Sequence, residues 1–274
     1  GLGYKVFNNL SVGANFSYLY GDITHQSMTT IGATDTRSIK LDKFSISDYK
    51  LDFGLQYTYK LNKKNTINIG AVYTLGRTLH GDAYKYHQTG AESNGSIYVQ
   101  SQTGDTIPNP FKMPHTFGIG LTYVYDNRLT IGVDYTLQKW NTADLAWSKF
   151  NKESVEMNSR TKIAFGAEFV PSYISHNYLK RIRYRMGAYC SSPYNKVSYT
   201  SPDTGTTSFQ DGAREYGVSI GFGLPMFQSK SMLNISGQYI KVSPKFKGLM
   251  EENYLRINIG LTFNERWFMK WKVD

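Results

Sequence analysis

The chain has 274 residues, 40% of them hydrophobic, and a formal charge of +10. No run approaches the roughly 18 consecutive apolar residues that a membrane helix needs, so a helical membrane protein is excluded. The single cysteine, Cys190, excludes an intramolecular disulfide framework. The basic balance has a plain reading, solvated loops, and a sharper one, attraction to anionic lipopolysaccharide or acidic ligands; no nucleic-acid motif is visible.

Apolar residues recur with period two from end to end, as strands with one oily and one polar side require. In chain order the oily positions are Leu2, Tyr4 and Val6; Leu10 to Tyr20; Tyr49 to Tyr59; Ile67 to Leu75; Phe117 to Tyr123; and Leu129 to Leu137. They continue with Ile163 to Phe169, Ile182 to Cys190, Tyr216 to Phe222, Leu233 to Tyr239, and Leu255 to Phe263. The count is about eleven strands, many of about ten residues, the length of a tilted membrane strand. A soluble sandwich has strands averaging about 5–6 residues. With 22 Tyr, 15 Phe and 25 Gly, the composition also favours a barrel wall with aromatic girdles over a soluble β-protein.

Connections alternate. Short ones fall near residues 7–9, 62–65, 126–127, 171–180 and 224–230, and long ones near 24–45, 81–113, 141–158, 193–213 and 243–253. Membrane barrels keep short turns at one end and long loops at the other. Charges test the assignment. Lys50, Asp52, Lys60, Asp134, Lys162, Glu168, Arg183, Arg185 and Arg256 all lie on the polar parity, where they face a lumen. A basic residue on the lipid side near midplane costs about 2–4 kcal/mol. Arg77 and Lys241 break the rule, late in strands that rise from short turns; they are expected at the outer rim, snorkelling or meeting lipid phosphates.

The chain opens at Gly1 inside a strand pattern with no secretory signal, which reads as a processed or truncated chain. An odd strand count points the same way, since bacterial single-chain barrels have even numbers. The expected division is a transmembrane antiparallel β-barrel over 1–263 and, over 264–274, an amphipathic tail or final edge strand. In that tail Trp267, Met269 and Trp271 alternate with Arg266, Lys270 and Lys272.

The stretch Met113-Pro114, Gly118 and Gly120, Tyr123, Asp126-Asn127, Asp134-Tyr135 and Trp140 resembles the FadL/TodX family of outer-membrane transporters for hydrophobic compounds. A second block, Tyr184 to Tyr189 followed by Ser192-Pro193, is similar to that family's Gly-x-aromatic and Ser-Pro segment, and the ending Asn264 to Lys272 to tails of Bacteroidetes members. The resemblance implies a fourteen-stranded barrel with an N-terminal plug, in the Gram-negative outer membrane. About three strands and the plug would then precede Gly1, and the family's plug-associated ligand residues cannot be carried over.

No catalytic constellation stands out. His80 and His87 are seven apart, which is not a metal spacing, and neither a metal nor a cofactor is expected. Lys162, Arg183, Arg185 and Arg256 are candidates to hold a carboxylate head group; the plainer reading pairs them with Glu168 and Asp134. Trp140 either lines a mouth for an acyl chain or sits in an interface belt. The function expected is passive transport of hydrophobic small molecules such as long-chain fatty acids, by a non-enzyme among outer-membrane lipids and lipopolysaccharide. Two alternatives remain: a barrel that docks a partner protein in secretion, and a barrel-embedded lipid hydrolase marked by a Ser/His or Asp/His pair at the rim.

Overall fold

A computed structural model describes residues 1–31, 36–93, 96–142, 156–200, 207–226, 231–244 and 250–263. The described chain is almost entirely antiparallel strand. Eleven strands form one continuous path: β1 (Leu2–Lys5), β2 (Leu10–Ile31), β3 (Thr36–Lys60), β4 (Asn65–Thr74), β7 (Thr116–Tyr125), β8 (Leu129–Gln138), β9 (Arg160–Phe169), β10 (Arg183–Ser191), β13 (Arg214–Pro225), β14 (Met232–Ser243) and β15 (Glu252–Thr262). These are the eleven that the alternation predicts. Among the described residues β1 and β15 do not pair with each other, so the sheet is an open stretch of wall.

The short turns form for local reasons. Asp126 and Asn127 both have positive φ, 50° and 53°, the backbone of a type I′ turn whose twist matches the flanking strands. At the next turn on that end, the Asn62 side chain accepts from the amides of Lys64 and Asn65, both at 2.9 Å.

Burial decides between a lipid-facing wall and a soluble core. The only buried hydrophobic residues among those described are Leu79, Ala83, Val170, Ile182 and Ile240. The oily parity is open instead: Ile119 is 57% exposed, Ile220 63% and Ile257 68%. An apolar face this long cannot meet water and needs hydrocarbon, which makes the fold a transmembrane antiparallel β-barrel wall.

Beyond the membrane-length strands the structure departs from expectation. The stretches 24–45, 81–113 and 193–213 were expected as loops, yet much of each is strand. β2 and β3 run 22 and 25 residues. At about 3.3 Å per residue β3 reaches roughly 80 Å, far more than a bilayer core requires. Its upper half pairs with β5 (Gly81–Ser93), which pairs with β6 (Ser96–Pro108). The order β2-β3-β5-β6 makes a four-stranded sheet projecting from the long-loop end. A separate hairpin, β11 (Lys196–Thr200) with β12 (Thr207–Asp211), rises from the same end. These strands escape a lipid-based reading because neither parity is consistently apolar: Thr24, Gln26, Met28 and Thr30 alternate with His25, Ser27 and Thr29.

The two parity exceptions have specific partners. Arg77 does not snorkel. It lies past the end of β4, its guanidinium 3.9 Å from the Tyr49 ring centre and 3.3 Å from Asp48. Lys241, on β14, pairs with Glu251 at 2.6 Å. The tail 264–274 and most of the 141–158 connection lie outside the described residues.

Candidate lumen site

Strand pairing places the charged residues in rows. Lys162, Ser191 and Glu215 stand in register across β9, β10 and β13, and Glu168, Arg185 and Gly221 form a second row. The rows are six residues apart on β9, roughly 20 Å along the strand. Between them the wall is nearly bare, with Gly132, Gly166 and Gly187 in register and Ser219 beside them.

In the row nearer the short turns, Glu168 bridges two arginines. Its carboxylate accepts from Arg183 Nη1 at 3.0 Å and from Arg185 Nε at 2.7 Å; Arg185 also donates to Asn234 Oδ1 at 2.7 Å. Two guanidinium groups against one carboxylate leave one net positive charge. The pairing expected for Glu168 is present. Asp134 forms no ion pair among the described residues; its carboxylate folds over Gly120, where a Cβ would collide with it.

The row nearer the long loops is a network. Arg160 Nε donates to Ser191 Oγ at 2.7 Å and its Nη2 lies 3.8 Å from Glu215. The Tyr189 hydroxyl donates to Glu215, and the Lys162 ammonium sits 4.5 Å from the Tyr189 ring centre. Tyr189 can lie flat against the wall because the facing residue on β13 is Gly217; a Cβ there would land on the ring. We expect Gly217→Ala to displace the ring, break its bond to Glu215 and cost about 1–3 kcal/mol. The urea midpoint of the purified protein in detergent reads this out, and an unchanged midpoint would mean the ring has room to spare.

The five residues singled out in the sequence therefore have distinct places. Arg183 and Arg185 share Glu168, and Lys162 belongs to the second row. Arg256, exposed on β15 and without an ion pair among the described residues, stands in register with Gln238 and within electrostatic reach of the Tyr189 hydroxyl. Trp140 does not join them. It begins a short 3-10 turn (Trp140–Thr142) at the far end of β8, donates to Gln138 Oε1 at 3.1 Å and packs on Tyr194 at 5.8 Å. Arg160, Tyr189, Ser191 and Glu215 were missed. Extending the parity one pair beyond Lys162 and one residue before Tyr216 finds Arg160 and Glu215; the role of Tyr189 depends on Gly217 across the strand pair, which periodicity does not reveal.

On the polar parity of β9 to β15 the basic residues Arg160, Lys162, Arg183, Arg185 and Arg256 face three acidic ones, Glu168, Glu215 and Glu252. On β2 to β4 and β7 the inner wall holds an open pocket of about 570 Å³ lined mainly by small residues, Gly13, Gly54, Gly70, Gly120 and Thr122, with Asp134 also in its lining, and β3 carries the Lys50–Asp52 ion pair on the same parity.

Two rim pairs bear on hydrolysis. His80 Nδ1 lies 3.1 Å from Asp48, and Ser38 Oγ 3.0 Å from His87 Nε2. Asp48 is occupied by backbone amides, and among the described residues no carboxylate is within reach of the other nitrogen of His87. No group of three or more His, Cys, Asp or Glu able to hold a metal occurs among them either.

An open, lipid-faced antiparallel wall with a charged inner surface defines a membrane β-barrel wall. A model of the BamG family matches residues 1–274, and the chain belongs to that family. No curated protein matches it. Among solved structures it is similar to the "TodX deltaS2S3 mutant monoaromatic hydrocarbon channel", at TM-score 0.54 and 13% identity over 94% of this chain and 66% of that one. It is also similar to a Pseudomonas aeruginosa FadL homologue, at TM-score 0.53 and 12% identity over 89% and 58%. The P. putida toluene transporter TodX matches at TM-score 0.49 and 13% identity over 86% and 60%. At these identities the likeness is one of fold, the FadL/TodX barrel fold that the sequence resembles. The chain spans about three-fifths to two-thirds of the length of these structures.

Proposed function

We propose that this chain forms the wall of a passive outer-membrane route for hydrophobic small molecules, and that those carrying an acidic group, long-chain fatty acids among them, are favoured. The observation that carries the reading is the inner wall of β9, β10 and β13: two cationic rows roughly 20 Å apart with a bare glycine band between them. A carboxylate could rest on one row and then the other while its apolar part lies against the glycines. No bond chemistry is needed; the protein supplies differential binding along a path. The fold likeness to hydrocarbon channels supports this reading.

The test is uptake of a fluorescent long-chain fatty acid into liposomes holding the purified protein. Arg183→Ala with Arg185→Ala should slow uptake several-fold while a neutral hydrophobic probe enters at the original rate. Unchanged fatty-acid uptake in the double variant would remove the arginines from the route.

The projecting β2-β3-β5-β6 sheet favours a second reading, in which the barrel docks a partner protein. Among the described residues β6 pairs only with β5, so its other edge offers unpaired backbone groups to an extended strand. Deleting residues 82–107 separates the readings: docking would be lost and uptake retained.

A further inference from the structure

The two ends of the wall carry charge differently. At the long-loop end both signs mix and cations are matched: Arg77 meets Asp48, Lys196 meets Glu156 and Lys241 meets Glu251. At the short-turn end, across residues 5–10, 60–65, 125–129 and 170–182, seven basic residues stand against one acidic residue, Asp126. Of the basic ones, Lys5, Lys63, Lys64 and Lys180 are exposed and form no ion pair among the described residues. Each cation has an exposed apolar side chain close before it in the chain: Tyr4 before Lys5, Leu61 before Lys63 and Lys64, Tyr125 before Arg128, and Leu179 before Lys180.

The backbone of this rim is held in place. The Asp126 amide donates to the Lys64 carbonyl at 2.7 Å, the Val170 amide to the Arg128 carbonyl at 2.7 Å, and the Ser172 amide to the Lys180 carbonyl at 2.8 Å. These bonds fix where the charged side chains of Lys64, Arg128 and Lys180 start from. In the order β3-β4-β7-β8-β9-β10 successive turns are two strands apart, which spaces the three residues roughly 10 Å from one another along the rim. Depth decides what meets them. Lys63 lies two residues beyond Leu61, at most roughly 7 Å away along the chain. A headgroup layer is about 5–7 Å thick on each side of the hydrocarbon. With Leu61 in hydrocarbon, the Lys63 ammonium ends among lipid headgroups, which favours lipid phosphate over a soluble acidic protein.

We propose that the short-turn rim is a binding surface for anionic phospholipids of the periplasmic leaflet, their phosphates on Lys63, Lys64 and Lys180 and their acyl chains against Leu61, Tyr125 and Leu179. The surface rests on the reading that this wall spans a membrane with its short turns on the periplasmic side. None of these cations belongs to the two lumen rows.

The experiment is native mass spectrometry of the full chain released from nanodiscs of equal parts phosphatidylglycerol and phosphatidylcholine. The wild type should retain phosphatidylglycerol over phosphatidylcholine at least threefold. Lys63→Gln with Lys64→Gln and Lys180→Gln should bring the two lipids to parity. A charge-matched control at the long-loop end, Lys40→Gln with Lys43→Gln and Lys139→Gln, should keep the preference. A preference that survives the short-turn variant, or one that the control abolishes, overturns the proposal. Equal lipid retention by the wild type, with polyglutamate captured through the same three lysines, would assign the rim to an acidic protein and overturns it too. Insertion without any lipid preference overturns the rim alone, whereas failure of the wild type to enter nanodiscs overturns the membrane reading and the rim with it.

Discussion

Replacing Glu168 with glutamine is expected to raise the affinity of the lumen for acidic hydrophobic molecules about fivefold, the opposite of removing the arginines beside it. Glu168 holds both Arg183 and Arg185 through charge-assisted hydrogen bonds. Glutamine keeps the shape and one acceptor but deletes the negative charge, taking this cluster from +1 to +2. At the effective dielectric of a wet wall the added attraction for a carboxylate a few ångströms away is about 1 kcal/mol, or roughly fivefold. The stability cost should be small, about 1 kcal/mol or less, because side chains that are 26%, 33% and 37% exposed are screened by water. Uptake assays at limiting fatty acid would register the gain. A loss of uptake in Glu168→Gln with a fully folded barrel would show that the carboxylate positions the arginines for the ligand and does not compete with it.

The second expectation concerns the root of the projecting sheet. On one edge β3 pairs with β4 from Asp52 to Lys60 and with β5 from Thr36 to Ile46, so it changes partner between those stretches. Asp48 stands at the exchange with a side chain only 2% exposed. It accepts from the amides of Tyr49 at 2.7 Å and His80 at 2.8 Å and faces Arg77 at 3.3 Å. Asp48→Ala would strand two amides and a sheltered guanidinium, at about 2–3 kcal/mol. The loss should be local. Limited proteolysis should open cuts within residues 20–47 and 81–108 while the membrane-embedded strands stay protected. Asp48→Asn, which keeps the acceptor, should cut less. Global loss of protection in Asp48→Ala would mean that the sheet and the wall fold as one unit.

How much could be read beforehand differs between the two halves of the molecule. Within the membrane, a strand such as Phe117-Gly118-Ile119-Gly120-Leu121 declares itself, because hydrocarbon on one side and water on the other impose a two-residue period. The same period placed Lys162, Glu168, Arg183 and Arg185 on the inner face. It also located the Asp126-Asn127 turn, whose residues tolerate the positive φ a tight hairpin demands. Outside the membrane that pressure vanishes. Ser38-Ile39-Lys40-Leu41-Asp42 alternates for only five residues before Lys43-Phe44 breaks the parity, so the run stays too short to stand out by itself; pairing with β2 and β5 carries the strand through.

One-dimensional order thus determined which side chains meet lipid and which meet the lumen, since a strand's pleat alone settles that partition. Only the tertiary structure decided which charges neutralise one another and which stay available, because those contacts cross from strand to strand. Glu168 finds Arg185 through the β9–β10 register, Tyr189 lies down because Gly217 faces it on β13, and Asp48 meets Arg77 where β3 exchanges partners.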